Sequence, residues 1–239
     1  MWATVDDIRA VFWVACLPAL LAVGVLGFGV QEPEETRPAR PARFPLHWTE
    51  LRALGGDYWV VVLVSALFGL ARFSEAFLIL KARAVGLPEA LAPLVLVAMN
   101  LIYAGASYPA GVFSDKGGRR ALLAFGLLAL IGADAALGFA QSLPLVFVGV
   151  ALWGLHMGLT HGLFAALVAD HAPAGLRGTA FGVFNLAGGL ALLAASLAAG
   201  ELWERFGPSA TFAAGAACAT LTLGALFLLI RNGSVKAKA

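Results

Sequence analysis

GVFSDKGGRR, residues 111–120, connects two apolar segments that are each long enough to form a membrane-spanning helix. We interpret it as a short loop, because Gly118 permits a tight turn and Gly111 allows close packing at a helix end. Asp115 is expected to accept hydrogen bonds from a neighbouring helix N-terminus, where the helix dipole favours an anion. The stretch therefore predicts two helices joined by a tight connection.

Three bases follow the aspartate in this loop: Lys116, Arg119 and Arg120. The two arginines are expected to pair with acids on an adjacent element. They are also expected to hold the loop on the cytoplasmic side of a membrane, where short loops are rich in Lys and Arg. The alternative is an ordinary basic loop that only fixes membrane topology.

Composition supports a membrane protein. Of 239 residues, 61% are hydrophobic and 13% are charged, whereas a soluble domain has about 45–50% apolar and about 25% charged residues. A bilayer accommodates this excess because there the protein surface must be apolar. The net charge of +2 provides no electrostatic footprint for nucleic acid. Cys16 and Cys218 lie in apolar runs, and we infer neither a disulfide nor a metal site from them.

Seven apolar stretches are long enough to span a bilayer, which takes about 20 residues of helix. The fold is therefore predicted to be an all-α integral membrane protein. The stretches are roughly 9–30, 57–80, 90–113, 121–140, 144–168, 179–200 and 209–230.

One connection is much longer than the others. Residues 31–56 are rich in Pro, Arg and Glu, with balanced charge. We interpret them as a flexible linker with one amphipathic turn around Trp48–Leu54. The linker divides the chain into one helix followed by six.

Orientation follows from the distribution of Lys and Arg. With residues 31–56 in the cytoplasm, eleven of these bases face inward and four face outward. The opposite orientation reverses that imbalance. We therefore predict a multi-pass protein of the cell membrane (inner or plasma), with its N-terminus outside and its C-terminus in the cytoplasm.

The loop motif, in its setting between two spans on the inner side, resembles the signature of the major facilitator superfamily (MFS). In that family the loop occurs between helices two and three, and again between helices eight and nine. Four spans follow the motif here, and two spans and a long linker precede it. A second stretch, DHAPAGLRGTAFGVFNLAGG at residues 170–189, resembles the family's link between helices ten and eleven.

The resemblance implies a domain assignment. Residues 1–30 match family helix six, residues 31–56 the cytoplasmic central linker, residues 57–230 the six-helix C-terminal bundle, and residues 231–239 a cytoplasmic tail. Family helices one to five have no counterpart in the chain. We expect either a truncated product, which we favour, or a half-transporter that needs a partner, namely the missing N-terminal half.

Two ionisable residues stand out in the second span. Arg72 and Glu75 are spaced i and i+3, so they share one helix face and can pair. Charged groups inside a membrane are costly and tend to mark function. One hypothesis is that Glu75 carries a proton and that Arg72 tunes its protonation; the alternative is a structural ion pair or a hydrogen-bonded bend.

Further polar residues are candidates for a central cavity. Asn100, Tyr103 and Ser107 form a stripe on family helix eight, and His156 and Thr160, with His161 adjacent, lie on family helix ten. Asn185 is a candidate donor on family helix eleven. For all of them the alternative is hydrogen bonding or packing between helices. Asp134, on the peripheral family helix nine, is expected to face a neighbouring helix and to take no part in transport.

The resemblance implies a secondary active transporter of a small solute, working by alternating access. We expect proton coupling and favour efflux over uptake; a truncated chain is expected to be inactive alone. The alternatives are a non-transporting membrane scaffold and a half-transporter needing a partner. Enzyme chemistry is not predicted, because phosphate-loop and nucleophile-elbow motifs are absent from the sequence. No cofactor or metal is expected, and the expected partners are a small-molecule substrate and the lipid bilayer.

Overall fold

A computed structural model describes residues 8–29 and 48–231. Helix α1, Ile8–Gly29, forms a unit by itself and covers most of the first predicted span. The rest of the described chain is the second unit. Residues 30–47, most of the predicted linker, and residues 232–239, the predicted tail, lie outside the described residues.

The second unit is helical throughout its regular structure. It begins with the six-residue helix α2, at the predicted amphipathic turn. The helices are α2 Trp48–Ala53, α3 Gly55–Ala71, α4 Ala76–Ala84, α5 Pro93–Asp115, α6 Arg119–Phe139, α7 Leu143–His171, α8 Arg177–Phe206 and α9 Pro208–Arg231. Short 3-10 turns, Glu89–Leu91 and Ala174–Leu176, precede α5 and α8.

Six of the described helical segments are long and apolar enough to cross a membrane. The first combines α3 and α4 as Gly55–Ala84, and the others are α5 to α9, two of them lengthened by the 3-10 turns. These segments qualify by their length and apolar composition, because a membrane span needs about 20 apolar residues. The predicted fold class, an all-α membrane protein with a bundle of six spans, is confirmed.

Helix α7 lies at the centre of the bundle and packs against α5, α6 and α3. Trp153, in its middle, is fully buried. Helices α3 and α8 are joined by a hydrogen bond of 2.8 Å that the Tyr58 hydroxyl donates to the Ala180 carbonyl. The bundle is thus held by apolar packing around α7 together with a few buried side-chain hydrogen bonds.

The second predicted span is interrupted. Helix α3 ends at Ala71, Arg72 has extended backbone angles (φ −122°, ψ 132°), and α4 begins at Ala76. The amide of Ser74 donates to Oγ of Ser196 on α8, at 3.1 Å. Irregular backbone is tolerated at membrane depth where protein or a cavity surrounds it, and Ser196 supplies such a partner.

Candidate functional site

A cavity of about 430 Å3 opens beside the interruption between α3 and α4. Its walls come from α3, α7 and α8, together with Arg72. It contains five of the residues predicted from the sequence: Arg72, His156, Thr160, His161 and Asn185. Since these residues are far apart in the chain, the packing of α3, α7 and α8 is what brings them together.

Arg72 and His161 form the polar centre of the cavity. The guanidinium of Arg72 donates from Nη1 to Nε2 of His161. The His161 ring also meets the Tyr103 ring edge to face, with centroids 5.7 Å apart. To accept this hydrogen bond, Nε2 of His161 must carry no proton, so Arg72 is the charged member of the pair.

His156 is fixed by the protein rather than free in the cavity. It is buried, donates from Nδ1 to the carbonyl of Gly126 at 2.8 Å, and stacks on Phe68. The hydroxyl of Thr160 donates to the carbonyl of His156, one turn earlier, at 2.8 Å. These contacts give both residues a structural role even though they line the cavity.

Glu75 lies in an adjoining cavity of about 410 Å3. Arg72, Gly189 and Leu192 line both cavities, so the two meet at the helix interruption. The predicted direct ion pair of Arg72 with Glu75 is not formed, because among the described residues no acid lies within 4.0 Å of Arg72; Glu75 is still near enough to act on the Arg72 charge. The i, i+3 geometry requires a continuous helix, and the helix is broken between these two residues.

The stripe predicted on α5 is only partly at the site. Tyr103 reaches His161, but it is not among the residues that line the cavity. Asn100 is exposed and donates to the Leu96 carbonyl at 2.8 Å, and Ser107 donates to the Tyr103 carbonyl at 2.7 Å. Asn100 and Ser107 therefore satisfy their hydrogen bonds along their own helix.

The tight turn in the loop motif is made by a different glycine from the one predicted. Gly117 has φ +88°, the left-handed region that favours glycine, whereas Gly118 has φ −76°. A Cβ on Gly118 would meet the ring of Phe113, which is exposed and can turn aside. The turn falls at Gly117 because α5 continues to Asp115.

One predicted ion pair of this loop is present. Arg119, at the start of α6, donates from Nη1 to Oδ2 of Asp170 near the end of α7. This contact ties the loop to the link between α7 and α8, so it joins the two motif regions singled out in the sequence. Arg120 follows, half-buried, and Lys116 is exposed.

The other two motif residues do not make the predicted contacts. Asp115 is exposed and accepts no hydrogen bond from the described part of the chain, so it does not reach a helix N-terminus there. A Cβ on Gly111 would meet nothing within 4 Å, so this glycine is not a point of close packing. The face of α5 that bears Gly111 is turned away from the described neighbours.

Several residues of the site were not found from the sequence. The cavity is also lined by Ser65, by four aromatic rings and by small residues of α7 and α8; the rings are Phe68, Phe164, Phe181 and Phe184. The sequence hardly distinguishes these phenylalanines, because phenylalanine in an apolar span is equally expected to face lipid or the protein core. Within residues 8–29 and 48–231, no group of three His, Cys, Asp or Glu side chains could hold a metal ion.

The known proteins that this chain resembles are membrane transporters, in agreement with its six candidate spans. The Major Facilitator Superfamily model matches residues 2–195 and 74–239. An uncharacterized MFS-type transporter from Methanocaldococcus jannaschii is 37% identical over 191 residues, which cover 75% of this chain and 46% of that protein. The chain thus spans about half the length of this relative.

A solved structure shares the fold. It is a crystal structure of a mutant of the peptide transporter POT in complex with sulfate, with a TM-score of 0.56 and 19% sequence identity. The likeness covers 74% of this chain and 38% of that one. Together with the family matches along nearly the whole sequence, these comparisons establish that the chain belongs to the major facilitator superfamily.

Proposed function

We propose that this chain forms the solute-binding C-terminal bundle of a secondary active transporter, and that the cavity between α3, α7 and α8 is its solute site. The observation that carries this proposal is the cavity itself, in which Arg72, His161 and Asn185 converge inside an otherwise apolar bundle. A site of this kind, at a discontinuous helix, is where transporters bind solutes and coupling ions. The family is one of transporters rather than enzymes.

Alternating access is the proposed mechanism. It requires a second bundle that rocks against α3–α9 around the shared site. Residues 1–30, as family helix six, and residues 31–56, as the cytoplasmic linker, would connect the two. The proposed orientation places the loop 111–120 and the C-terminal tail in the cytoplasm of a cell or inner membrane, in accordance with the excess of Lys and Arg there.

Glu75 is the proposed proton carrier. It is half-buried, it lines the adjoining cavity, and no cation of the described residues lies within 4.0 Å of it. Its carboxyl group can therefore gain or lose a proton without breaking an ion pair in this conformation. Efflux of a drug-like or metabolite solute is the favoured direction, because the helices are apolar and carry few fixed charges.

Cysteine labelling tests whether the cavity is an aqueous pathway. Asn185 lines the cavity, whereas the next residue, Leu186, does not line it and is 63% exposed. In a chain with Cys16 and Cys218 replaced by alanine, Asn185→Cys and Leu186→Cys lie at nearly the same depth on different faces of α8. We expect a water-soluble maleimide to label Asn185→Cys in nanodiscs and to spare Leu186→Cys, since a thiol needs water to ionise and react.

Mass spectrometry of the labelled protein measures the result. Comparable labelling of both cysteines in denaturant is the control for reagent and protein quality. Equal labelling of the two positions in the bilayer, or labelling of Leu186→Cys alone, would contradict the proposal that the cavity is the solute pathway.

A further inference from the structure

Arg72 forms no direct ion pair in the part of the chain that the structure describes, although the Glu75 carboxylate acts on its charge from the adjoining cavity. Among the described residues the hydrogen-bond partner of Arg72 is the neutral ring nitrogen of His161, and no acid lies within 4.0 Å of this arginine. A charged side chain at membrane depth is expensive and is normally paired. The guanidinium therefore has no directly bonded anion on the side of this cavity.

The lining of the cavity adds to this imbalance. None of the fifteen residues around it is Asp or Glu, and Arg72 is the charged one. Ser65 on α3 and Asn185 on α8 provide further hydrogen-bond donors in the lining. An anion in the cavity would meet a guanidinium and neutral donors, while the Glu75 carboxyl lies in the adjoining cavity.

The remaining surface is aromatic. Phe68 and Phe164 meet edge to face with ring centroids 4.9 Å apart, and Phe181 and Phe184 line the cavity from α8. Small-molecule sites combine such apolar walls with a few placed polar groups, in volumes of about 300–1,000 Å3. A cavity of about 430 Å3 falls in that range.

We propose that the cavity selects a small organic anion, with a carboxylate or sulfonate bound by Arg72 and an aromatic or other apolar body against the four phenylalanines. This inference rests on the proposed function, that the cavity is the solute site. The planar guanidinium can donate two parallel hydrogen bonds to such a group. The anion then replaces His161 as the partner of Arg72.

Matched pairs of probes test this charge preference. The purified chain in nanodiscs is titrated by calorimetry with 2-naphthoate and 2-naphthamide, and with 4-phenylbutyrate and 4-phenylbutyramide; 2-naphthylmethylammonium serves as the cationic probe. We expect each carboxylate to bind at least about tenfold more tightly than its amide, because a hydrogen bond between two charged groups is about twice as strong as one between neutral groups. The ammonium probe should bind more weakly still.

Variants assign the preference to one residue. Arg72→Gln should bring the affinity for each carboxylate down to that of its amide, and Arg72→Lys should keep part of the difference, since it keeps the charge but loses the planar fork. Arg83→Gln is the matched control, because Arg83 is exposed and pairs with Glu89 outside the cavity. It should bind all probes as the original chain does.

The outcomes separate this inference from the proposed function. Equal affinity for carboxylates and amides, binding of the ammonium probe alone, or failure of every carboxylate to bind overturns the anionic class. An unchanged preference in Arg72→Gln overturns the role of Arg72. If Arg72→Gln does not fold, titration of the original chain and of Arg72→Lys with the carboxylate and amide probes still tests the preference for an anion. If maleimide labels Asn185→Cys but no carboxylate preference is found, the cavity remains the proposed solute pathway and only the anionic solute class is overturned.

Discussion

Asp134, on α6, is 1% exposed, and neither of its carboxyl oxygens has a hydrogen-bond partner among the described residues. It faces α9, as predicted from the sequence: a Cβ on Gly215 would lie 2.7 Å from its Oδ2 and 2.9 Å from Cε1 of Phe73. A buried polar group without a partner costs about 1–3 kcal/mol of stability. This carboxyl group therefore weakens the bundle where α6 and α9 pack.

Replacing Asp134 by leucine should stabilise the chain. Leucine has a similar branched shape and no polar atom to leave unpaired, so Asp134→Leu should unfold at a higher temperature than the original chain. Asp134→Asn keeps an unpaired polar group of the same size and should unfold close to the original temperature. Tryptophan fluorescence during heating of the detergent-solubilised protein measures both; a lower unfolding temperature for Asp134→Leu would contradict the expectation.

Of the residues that line the cavity, the polar ones could be predicted from the sequence. Arg72, His161 and Asn185 are conspicuous because polar side chains are rare in apolar spans. Phe181 and Phe184 were not found, because the chain has 16 phenylalanines and only the packing shows which ones line the cavity.

Among the helices, α5 and α7 make one of the closest contacts. A Cβ on Gly154 would collide with the carbonyl oxygen of Met99 and lie 3.2 Å from Cβ of Ile102. A Cβ on Gly158 would lie 2.6 Å from Cβ of Ala106. Glycines one turn apart on α7 thus allow the backbone of α5 to approach closely, as small residues do in membrane helix pairs.

Gly154→Ala should force α5 away from α7. The collision involves backbone, which cannot move aside as a side chain can, so we expect a loss of about 1–3 kcal/mol, typical of overpacking. Gly162→Ala, on the same helix, is the matched control, because a Cβ there meets nothing within 4 Å. Chemical unfolding in mixed detergent micelles, followed by circular dichroism, compares the two; equal stability of Gly154→Ala and Gly162→Ala would contradict the close contact.

The apolar length of each segment predicted the spans, but it did not predict the break between α3 and α4. Residues 57–80 are apolar enough to read as one helix, and Arg72–Glu75 contain neither proline nor glycine. The break is accompanied by a hydrogen bond from the Ser74 amide to Ser196, more than a hundred residues later. A contact at that separation is decided by tertiary packing, which the local pattern does not contain.

For the molecule as a whole, the proposed solute site and the proposed proton carrier lie in two adjoining cavities. Arg72 lines both cavities, Glu75 lines one, and the proposed anion site occupies the other. A second negative charge near a carboxyl group favours its protonated form. Binding of an organic anion should therefore be accompanied by proton uptake at Glu75, and by linkage the proton should strengthen anion binding.

Proton uptake can be measured directly on the chain in nanodiscs. When the tightest-binding aromatic carboxylate is added in weakly buffered solution with a pH indicator, we expect the medium to become more alkaline. Glu75→Gln should still bind the carboxylate by calorimetry but take up no proton, because its amide cannot titrate. Glu201→Gln, which removes an exposed carboxyl paired with Arg205, is the control and should behave as the original chain. Unchanged proton uptake in Glu75→Gln would assign the proton to another group and would remove Glu75 from the coupling mechanism.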